Sequence, residues 1–420
     1  MIGSIIVAII VLSILIFVHE LFHFLIAKSS SIDTPIFSIG FGPKLASFKL
    51  RGTDFRISAI PFGGYVELKG MEPEEIKGEE DEFYSKNAAI RAGVVFAGPF
   101  GNILFGFLIY LFVLSLSGID VPSTTMVSKS IEESNLLYGD KILQINSKEV
   151  SNWHDITVNL KGGSKALILR DGEKKKIIVD SLNKDSLSPL YPPIIGKVIR
   201  NSPAYKSGLR EGARILEIGG KKIENWNNIT TMIAPSASET LDIVYLKMED
   251  TIKTTIIPEE QKVLEGDSVV KKGMIGISSP TKRVKIPFSE SSSLACKETW
   301  GTSTQIFKVF SLLAHRRVSA QNLAGPVGIV MLTQKSMEWG IINLLLFVAF
   351  ISINLAIVNL IPIPPLDGFH IIVSIASSII RTKPSKKMLQ IVQLIGTVIL
   401  LSLMIFLVFN DVLRIFRGGF

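Results

Sequence analysis

Two histidines and a glutamate near the N-terminus have the spacing of a metal site that activates water. His19, Glu20 and His23 form an H-E-x-x-H motif, and residues four apart on a helix share one face. Both imidazoles can therefore bind one metal ion, and Glu20 can accept a proton from a water molecule beside it. The alternative is a helix whose two histidines only hydrogen-bond to their neighbours.

The setting of the motif is apolar. Residues 5–16 are apolar apart from Ser13, and the apolar surface continues past the histidines to Ala27. Imidazoles and carboxylates inside a membrane segment are costly, need buried partners and mark functional sites. The setting favours the metal site, and it predicts a third ligand elsewhere in the chain.

Composition indicates a membrane protein. The 420 residues are 47% hydrophobic, and the mean hydropathy is +0.40, so membrane spans are expected. The net charge is +8, but the basic residues form no single patch, which argues against nucleic acid as a partner. Cys296 is the only cysteine, so an intrachain disulfide and a cysteine-rich zinc site are excluded. No basic residue precedes Lys28, which predicts a retained span rather than a cleaved signal peptide.

The apolar segments predict a multi-pass α-helical membrane protein with four transmembrane helices. Basic residues gather in loops 28–91 and 381–387, and the positive-inside rule places both loops in the cytoplasm. The segment between spans two and three and both termini then lie on the outer side. In chain order we predict a first span at 1–27, a cytoplasmic or membrane-reentrant β region at 28–92, a second span at 93–117, two inserted domains at 120–185 and 190–283, an outer-side helical region at 284–340, a third span at 341–380 and a fourth at 388–410.

Two stretches near the first and second spans have residue patterns that predict local structure. The alternating residues 36–67, broken by glycines and a proline, predict short strands and turns. Their apolar side chains allow a small sheet to dip into the bilayer, with an ordinary cytoplasmic hairpin as the alternative. The small residues around Gly98 predict close helix contact, and Asn102 is expected to form a polar tie between helices or towards a site.

The polar segment between spans two and three contains an internal repeat at an offset of 73 residues. The matching pairs are Gly139 and Gly212, Ile142 and Ile215, Leu143 and Leu216, Ile145 and Ile218, Val150 and Ile223, Asn152 and Asn225, and Trp153 and Trp226. With the Ser-Pro-Ala stretch before the second copy, this pattern resembles tandem bacterial PDZ domains, which are α+β, partly open β-barrels. The resemblance implies strand addition of a peptide, with Ile195 and Gly196 in the peptide-holding loop. Steric filters without a specific ligand are the alternative.

The third ligand is expected near the end of the third span. Pro362, Pro364 and Pro365 must interrupt the helix there, and irregular backbone at membrane depth needs a protein or aqueous environment. Asp367 follows this break. Catalytic zinc commonly has three protein ligands and one open position, which two histidines and a carboxylate provide. The alternative for Asp367 is an N-cap of the next helix.

In combination these motifs resemble the site-2 protease family of intramembrane zinc metalloproteases, in particular the bacterial envelope-stress group with tandem PDZ domains. One departure is Phe369 where the family has glycine, although His370 is kept. The motifs in family order are H-E-x-x-H at 19–23, I-P-F-G-G-Y at 60–65, F-A-G-P at 96–99, the PDZ pair, G-P-V-G at 325–328, and Asn359 followed by L-D-G at 366–368.

The resemblance implies hydrolysis of peptide bonds within transmembrane segments. It implies Zn2+ on His19, His23 and Asp367, with Glu20 as the base. It further implies that Asn359 holds the substrate backbone. The sheet of residues 36–67, with Gly63 and Gly64, would pair with unwound substrate.

The same resemblance implies a bacterial inner-membrane location, with the site near the cytoplasmic side and the PDZ domains in the periplasm. The expected substrates are an anti-sigma factor already cut on its outer side and signal-peptide remnants. Peptide C-termini at the PDZ domains and membrane lipid complete the expected partners, and nucleic acid is not among them.

Two other functions are compatible with parts of the sequence. A membrane-anchored PDZ scaffold would have an inactive site, but Glu20 and the candidate ligands are all present. An ion or proton transporter with a non-proteolytic metal site explains buried charges, but it explains neither the H-E-x-x-H spacing nor the PDZ pair. A site of two histidines and one carboxylate can also hold iron.

Overall fold

The computed structural model describes residues 2–72, 76–128, 135–179, 187–265, 268–315, 317–318, 323–380 and 385–416. The chain divides into two compact units. One consists of Met1–Leu116 with Pro287–Phe420, and the other is Ser117–Ile286.

The described residues are mainly helical in the first unit and mainly β in the second. The helices are α1 Ile2–Ser29, α2 Ala88–Ser117, α3 Trp153–Asn159, α4 Pro203–Lys206, α5 Trp226–Ile233, α6 Phe288–Ala314, α7 Pro326–Glu338, α8 Ile341–Asn359, α9 Asp367–Ile380 and α10 Lys386–Phe416, with a 3-10 turn at Phe83–Ser85. The strands are β1 Ile36–Leu50, β2 Thr53–Val66, β3 Ile119–Pro122, β4 Lys141–Ile145, β5 Lys148–Glu149, β6 Ser164–Arg170, β7 Glu173–Val179, β8 Lys197–Val198, β9 Arg214–Ile218, β10 Lys221–Lys222, β11 Leu241–Lys247, β12 Asp250–Ile256, β13 Glu259–Glu265, β14 Ser268–Met274, β15 Ile277–Ser278 and β16 Thr281–Val284.

Four helices within the described ranges are long and apolar enough to cross a membrane. They are Gly3–Ser29, Ala88–Ser117, Ile341–Asn359 and Lys387–Phe416. An apolar helix of 28 residues, such as α1, is about 42 Å long at 1.5 Å per residue, which exceeds a hydrocarbon core of about 30 Å. The second of these helices begins five residues before the predicted span.

The proline-rich segment divides the predicted third span into two helices. Helix α8 ends at Asn359, and α9 begins at Asp367, as the loss of backbone donors and the fixed proline φ require. A Cβ on Gly368 would overlap the carbonyl oxygen of Leu360, so only glycine allows the chain to fold back this closely. The first turn of α9 is thereby held against the end of α8.

Strands β1 and β2 form one bent sheet, and each is longer than the short strands that the sequence predicts. The segment 37–39 lies in the middle of the sheet, between 64–66 on one side and 55–57 on the other. The chain then turns back, and residues 46–50 pair with 53–57. The segment 64–66 is therefore an edge of the sheet. Helix α1 packs against β2, and Ser13 Oγ donates a hydrogen bond to the carbonyl oxygen of Pro61 at 2.8 Å.

The unit of residues 117–286 contains two similar sheets, as the internal repeat predicted. Their strand orders are β5-β4-β6-β7 and β10-β9-β11-β12. The repeat-related residues Ile142 and Ile215 are both fully buried, each in the core of its own copy. Strand β3, which precedes the first copy, pairs with β16, which follows the second, so the unit is closed by its own ends.

Helices α6 and α7 complete the helical unit. Helix α6 packs against α8, and the hydroxyls of Tyr110 and Thr302 share a hydrogen bond of 3.1 Å. At the start of α7, the Asp411 carboxylate from α10 accepts the N–H groups of Gly325 at 3.1 Å and Gly328 at 2.8 Å. A carboxylate suits a helix N-terminus because that end has free donors and a positive partial charge.

Candidate active site

The two histidines of the motif point to one place from the same face of α1. Nε2 of His19 lies 3.1 Å from Nε2 of His23, and each residue is 6% exposed. At this distance either one nitrogen donates a hydrogen bond to the other, or both keep their lone pairs and share a bound cation, for which a metal ion is the usual partner.

Asp367 joins the histidines from the first residue of α9. Its Oδ2 lies 3.0 Å from Nε2 of His19, and its Oδ1 lies 3.5 Å from Nε2 of His23. One ligand atom from each of the three residues lies within 4.8 Å of the others, and within the described ranges this is the only such group of metal-binding side chains. The structure therefore brings together residues from the two ends of the chain.

The three side chains fit a divalent metal ion. Oδ2 of Asp367 is buried, and although Nε2 of His19 lies 3.0 Å away, no group of the described residues donates to this oxygen with hydrogen-bond geometry, which a buried carboxylate oxygen normally requires. Two imidazole nitrogens and a carboxylate oxygen form the ligand set of catalytic zinc sites. A bound cation would be the missing partner of that oxygen.

Glu20 follows His19 directly and is held by the sheet. Its Oε2 accepts a hydrogen bond of 3.0 Å from the backbone N–H of Val66. The next residue, Glu67, instead donates its N–H to Ile36 in the neighbouring segment. Since alternate residues of a strand direct their N–H groups to opposite sides, the outer side of edge 64–66 faces Glu20.

Helix α2 lies against both histidines, whereas its small residues predicted only close helix packing. The carbonyl oxygen of Val94 lies 2.8 Å from Nδ1 of His23. A Cβ on Gly98 would overlap Nε2 of His23 and would lie 2.8 Å from Cε1 of His19. The glycine is thus needed because two imidazoles lie against the backbone of α2. The small residues of the motif F-A-G-P indicate that another helix approaches closely, but they do not indicate that this helix carries the two histidines.

Two asparagines approach His19. Nδ2 of Asn102 lies 3.3 Å from its Nδ1, which bears out a polar tie towards the site. Nδ2 of Asn359, the last residue of α8, lies 3.3 Å from its Nε2. His370 is also buried, and its Nδ1 has no hydrogen-bond partner among the described residues.

The four remaining predicted site residues fall in two places. Gly63 and Gly64 lie in β2, and a Cβ on Gly64 would lie 3.5 Å from the Ile16 side chain of α1. Ile195 and Gly196 belong to the unit of residues 117–286. Ile195 is 1% exposed in its core, and the N–H of Gly196 donates to the carbonyl of Ser278. These groups are paired within the unit, and the peptide-holding role of this loop stays a prediction.

Apolar helices of spanning length that surround a two-histidine, one-carboxylate site beside a glutamate define a membrane metalloprotease. A family model described as "Peptidase family M50" matches residues 7–403. This chain belongs to peptidase family M50, and it is a zinc metalloendopeptidase of the site-2 protease type.

Individual relatives agree with this assignment over nearly their whole length. The chain is 31% identical over 440 residues to zinc metalloprotease RasP of Bacillus licheniformis, a match that covers 99% of this chain and 100% of the relative. It is 28% identical to the regulator of sigma-E protease RseP of Salmonella typhimurium and to that of Escherichia coli, with 97% of this chain and 98% of each relative covered. The scaffold and transporter alternatives are not favoured.

Proposed function

We propose that this protein cuts single-span membrane proteins within their transmembrane segments, with Zn2+ on His19, His23 and Asp367. The observation that carries the proposal is the convergence of these three ligands, drawn from two apolar helices, beside Glu20. Bound zinc would supply a Lewis acid that polarises the scissile carbonyl and lowers the pKa of water. The protein's own residues perform the remaining work.

Glu20 moves the proton. Its carboxylate accepts a proton from the attacking water and passes it to the departing amine, so that the water oxygen bonds to the carbonyl carbon while the peptide C–N bond breaks. The Val66 N–H, 3.0 Å from Oε2, keeps the carboxylate oriented for both transfers.

Edge 64–66 receives the substrate. A transmembrane helix hides its carbonyls in its own hydrogen bonds, so the substrate must unwind before attack. An unwound segment can add to a sheet edge as a further strand, and the outer side of this edge faces Glu20. Gly63 and Gly64 leave the start of the edge without side chains, and Asn359 holds the substrate backbone near His19.

The four apolar helices cross the bacterial inner membrane, and the two repeats of residues 120–283 are PDZ domains in the periplasm. The basic loops at 28–91 and 381–387 support this orientation. The PDZ domains filter substrates by size or by binding peptide C-termini. An anti-sigma factor already cut on its outer side and signal-peptide remnants are the proposed substrates.

The test is cleavage of a single-span substrate by the full-length protein in liposomes. Glu20→Gln keeps an acceptor for Val66 but cannot take a proton, so cleavage should fall by about 10²–10⁴-fold, the usual contribution of a general base. Glu298→Gln changes an exposed glutamate in α6 and should cleave like the wild type. Equal cleavage by wild type and Glu20→Gln would rule out this mechanism.

A further inference from the structure

One face of α2 is aligned with the two histidines of α1. Val94, Gly98 and Asn102 are spaced four residues apart, so they form a stripe along that face. The carbonyl oxygen of Val94 is within hydrogen-bond distance of Nδ1 of His23. The amide of Asn102 is within hydrogen-bond distance of Nδ1 of His19. Between them, Gly98 lies against both rings. Val94 and Asn102 contact the Nδ1 nitrogens of the rings, whereas the Nε2 nitrogens lie near Asp367.

The contact at His23 fixes the position of its proton. A carbonyl oxygen can only accept a hydrogen bond, so Nδ1 of His23 must be the donor at 2.8 Å from Val94 O. A neutral imidazole carries one N–H. Nε2 of His23 therefore keeps its lone pair, and it is this nitrogen that lies towards His19 and Asp367.

The contacts at His19 cannot all be donations to the ring. Amide nitrogens of Asn102 and Asn359 lie 3.3 Å from Nδ1 and Nε2 respectively, but a neutral imidazole has only one nitrogen that accepts. Oδ1 of Asn102 is buried and has no partner among the described residues. A half-turn of the Asn102 amide exchanges its oxygen and nitrogen, which places the acceptor Oδ1 against an N–H at Nδ1 of His19 and removes the conflict at the ring.

We infer that Asn102 is a positioning residue whose side-chain oxygen accepts the Nδ1 proton of His19 and thereby presents the Nε2 lone pair to the metal. The two histidines are then held alike: α2 accepts one ring proton through its backbone at Val94 and the other through a side chain at Asn102. Such partners of ligating histidines fix the ring tautomer and orientation. The inference rests on the proposed metal site.

Asn102 is itself fixed in place. It is 0% exposed, and its backbone carbonyl accepts a hydrogen bond of 2.7 Å from Ser352 Oγ of α8. Ser352 therefore provides a matched control, because Ser352→Ala disturbs the packing around Asn102 without removing the amide from His19.

The test measures Zn2+ affinity of the full-length protein in detergent by competition with a chromophoric chelator. The variants are Asn102→Ala, Asn102→Asp and Ser352→Ala. Removal of the acceptor in Asn102→Ala should weaken Zn2+ binding by about 10–100-fold, the usual loss for a partner of a ligating histidine. Asn102→Asp keeps an acceptor oxygen and should stay within a few-fold of wild type, as should Ser352→Ala. The Co2+-substituted wild type and Asn102→Asp should share one visible absorption spectrum.

Each result either supports or contradicts the role of Asn102. Wild-type affinity in Asn102→Ala overturns the inference, and so does equal weakening in Asn102→Asp and Asn102→Ala. If Asn102→Ala does not fold, the test rests on Asn102→Asp. Failure of that variant to bind Co2+ would contradict the inference, because the variant keeps an acceptor oxygen for His19. Absence of Zn2+ binding by the wild type would instead contradict the proposed function, so the two failures are distinct.

Discussion

Nε2 of His19 and Oδ2 of Asp367 lie 3.0 Å apart, although one residue is near each end of the chain. His19 is held in α1, and Asp367 is the first residue of α9, directly after the proline break. The break lets a carboxylate reach the imidazoles at a helix start. The site therefore exists only when the first and third apolar segments are packed together.

The close approach of α2 gives a prediction at Gly98. In Gly98→Ala the new methyl group would overlap Nε2 of His23, so the ring must move from its place near Asp367. We expect bound Zn2+ to fall well below one ion per chain and cleavage to be lost. Gly93→Ala in the same helix is the control, because no atom lies within 4 Å of its Cβ position. Full metal occupancy in Gly98→Ala would show that the rings do not need this space.

The bent sheet should lie within the bilayer at its apolar end. Leu45 and Phe48 are 69% and 62% exposed in the protein alone, and the Ser13–Pro61 hydrogen bond ties β2 to α1 about 9 Å along the helix from His19, at 1.5 Å per residue. In a Cys296→Ser background, Leu45→Cys and Phe48→Cys should resist a membrane-impermeant maleimide in liposomes.

Glu79→Cys supplies the control for this labelling. Glu79 is exposed in the acidic loop after β2, so its thiol should react in liposomes open to the reagent on both sides. Rapid labelling at position 48, at the rate seen for position 79, would place the sheet in water instead.

The pairing of β3 with β16, which joins the two ends of the 117–286 unit, should depend on pH. Arg283 donates two hydrogen bonds, of 2.8 and 2.6 Å, to Asp120, and Lys197 lies 3.7 Å from the same carboxylate. The hydrogen bonds from Arg283 hold the pKa of Asp120 below its usual range. A depressed folded-state pKa contributes stability above the unfolded value of about 4, and that stability is lost as the pH falls through the folded value.

Asp120→Asn should therefore speed hydrogen–deuterium exchange in β3 and β16 at pH 7, while variant and wild type should converge as the pH falls below the folded-state pKa of Asp120. Glu173→Gln removes the exposed pair with Lys175 and should leave exchange unchanged, since exposed pairs contribute little. A difference between Asp120→Asn and wild type that persists at low pH would assign the effect to packing rather than to charge.

Residue types and spacing predicted the parts of the site that lie on single elements. His19 and His23 share a helix face by their spacing alone, and the three prolines before Asp367 require a helix break. The repeat at an offset of 73 residues likewise predicted two similar sheets, because matched isoleucines such as Ile142 and Ile215 must both be buried.

Contacts between distant elements were harder to predict. Gly98 was attributed to general helix packing, since no pattern in α2 shows that imidazoles lie beside it. The strands β1 and β2 were expected to be short because glycine and proline often mark turns, yet here the strands bend and pair twice. The role of Ile195 in a peptide-binding loop stays a prediction, and the core that its side chain fills is visible only in three dimensions.

The most direct test of the account is the metal content of the purified full-length protein, measured by inductively coupled plasma mass spectrometry for wild type, Asp367→Ala and Glu20→Gln. A zinc site formed by His19, His23 and Asp367 predicts about one Zn2+ per chain in wild type, a similar content in Glu20→Gln, and little in Asp367→Ala. Asp367→Ala with undiminished zinc would contradict it, because the carboxylate after the proline break would then not be a ligand.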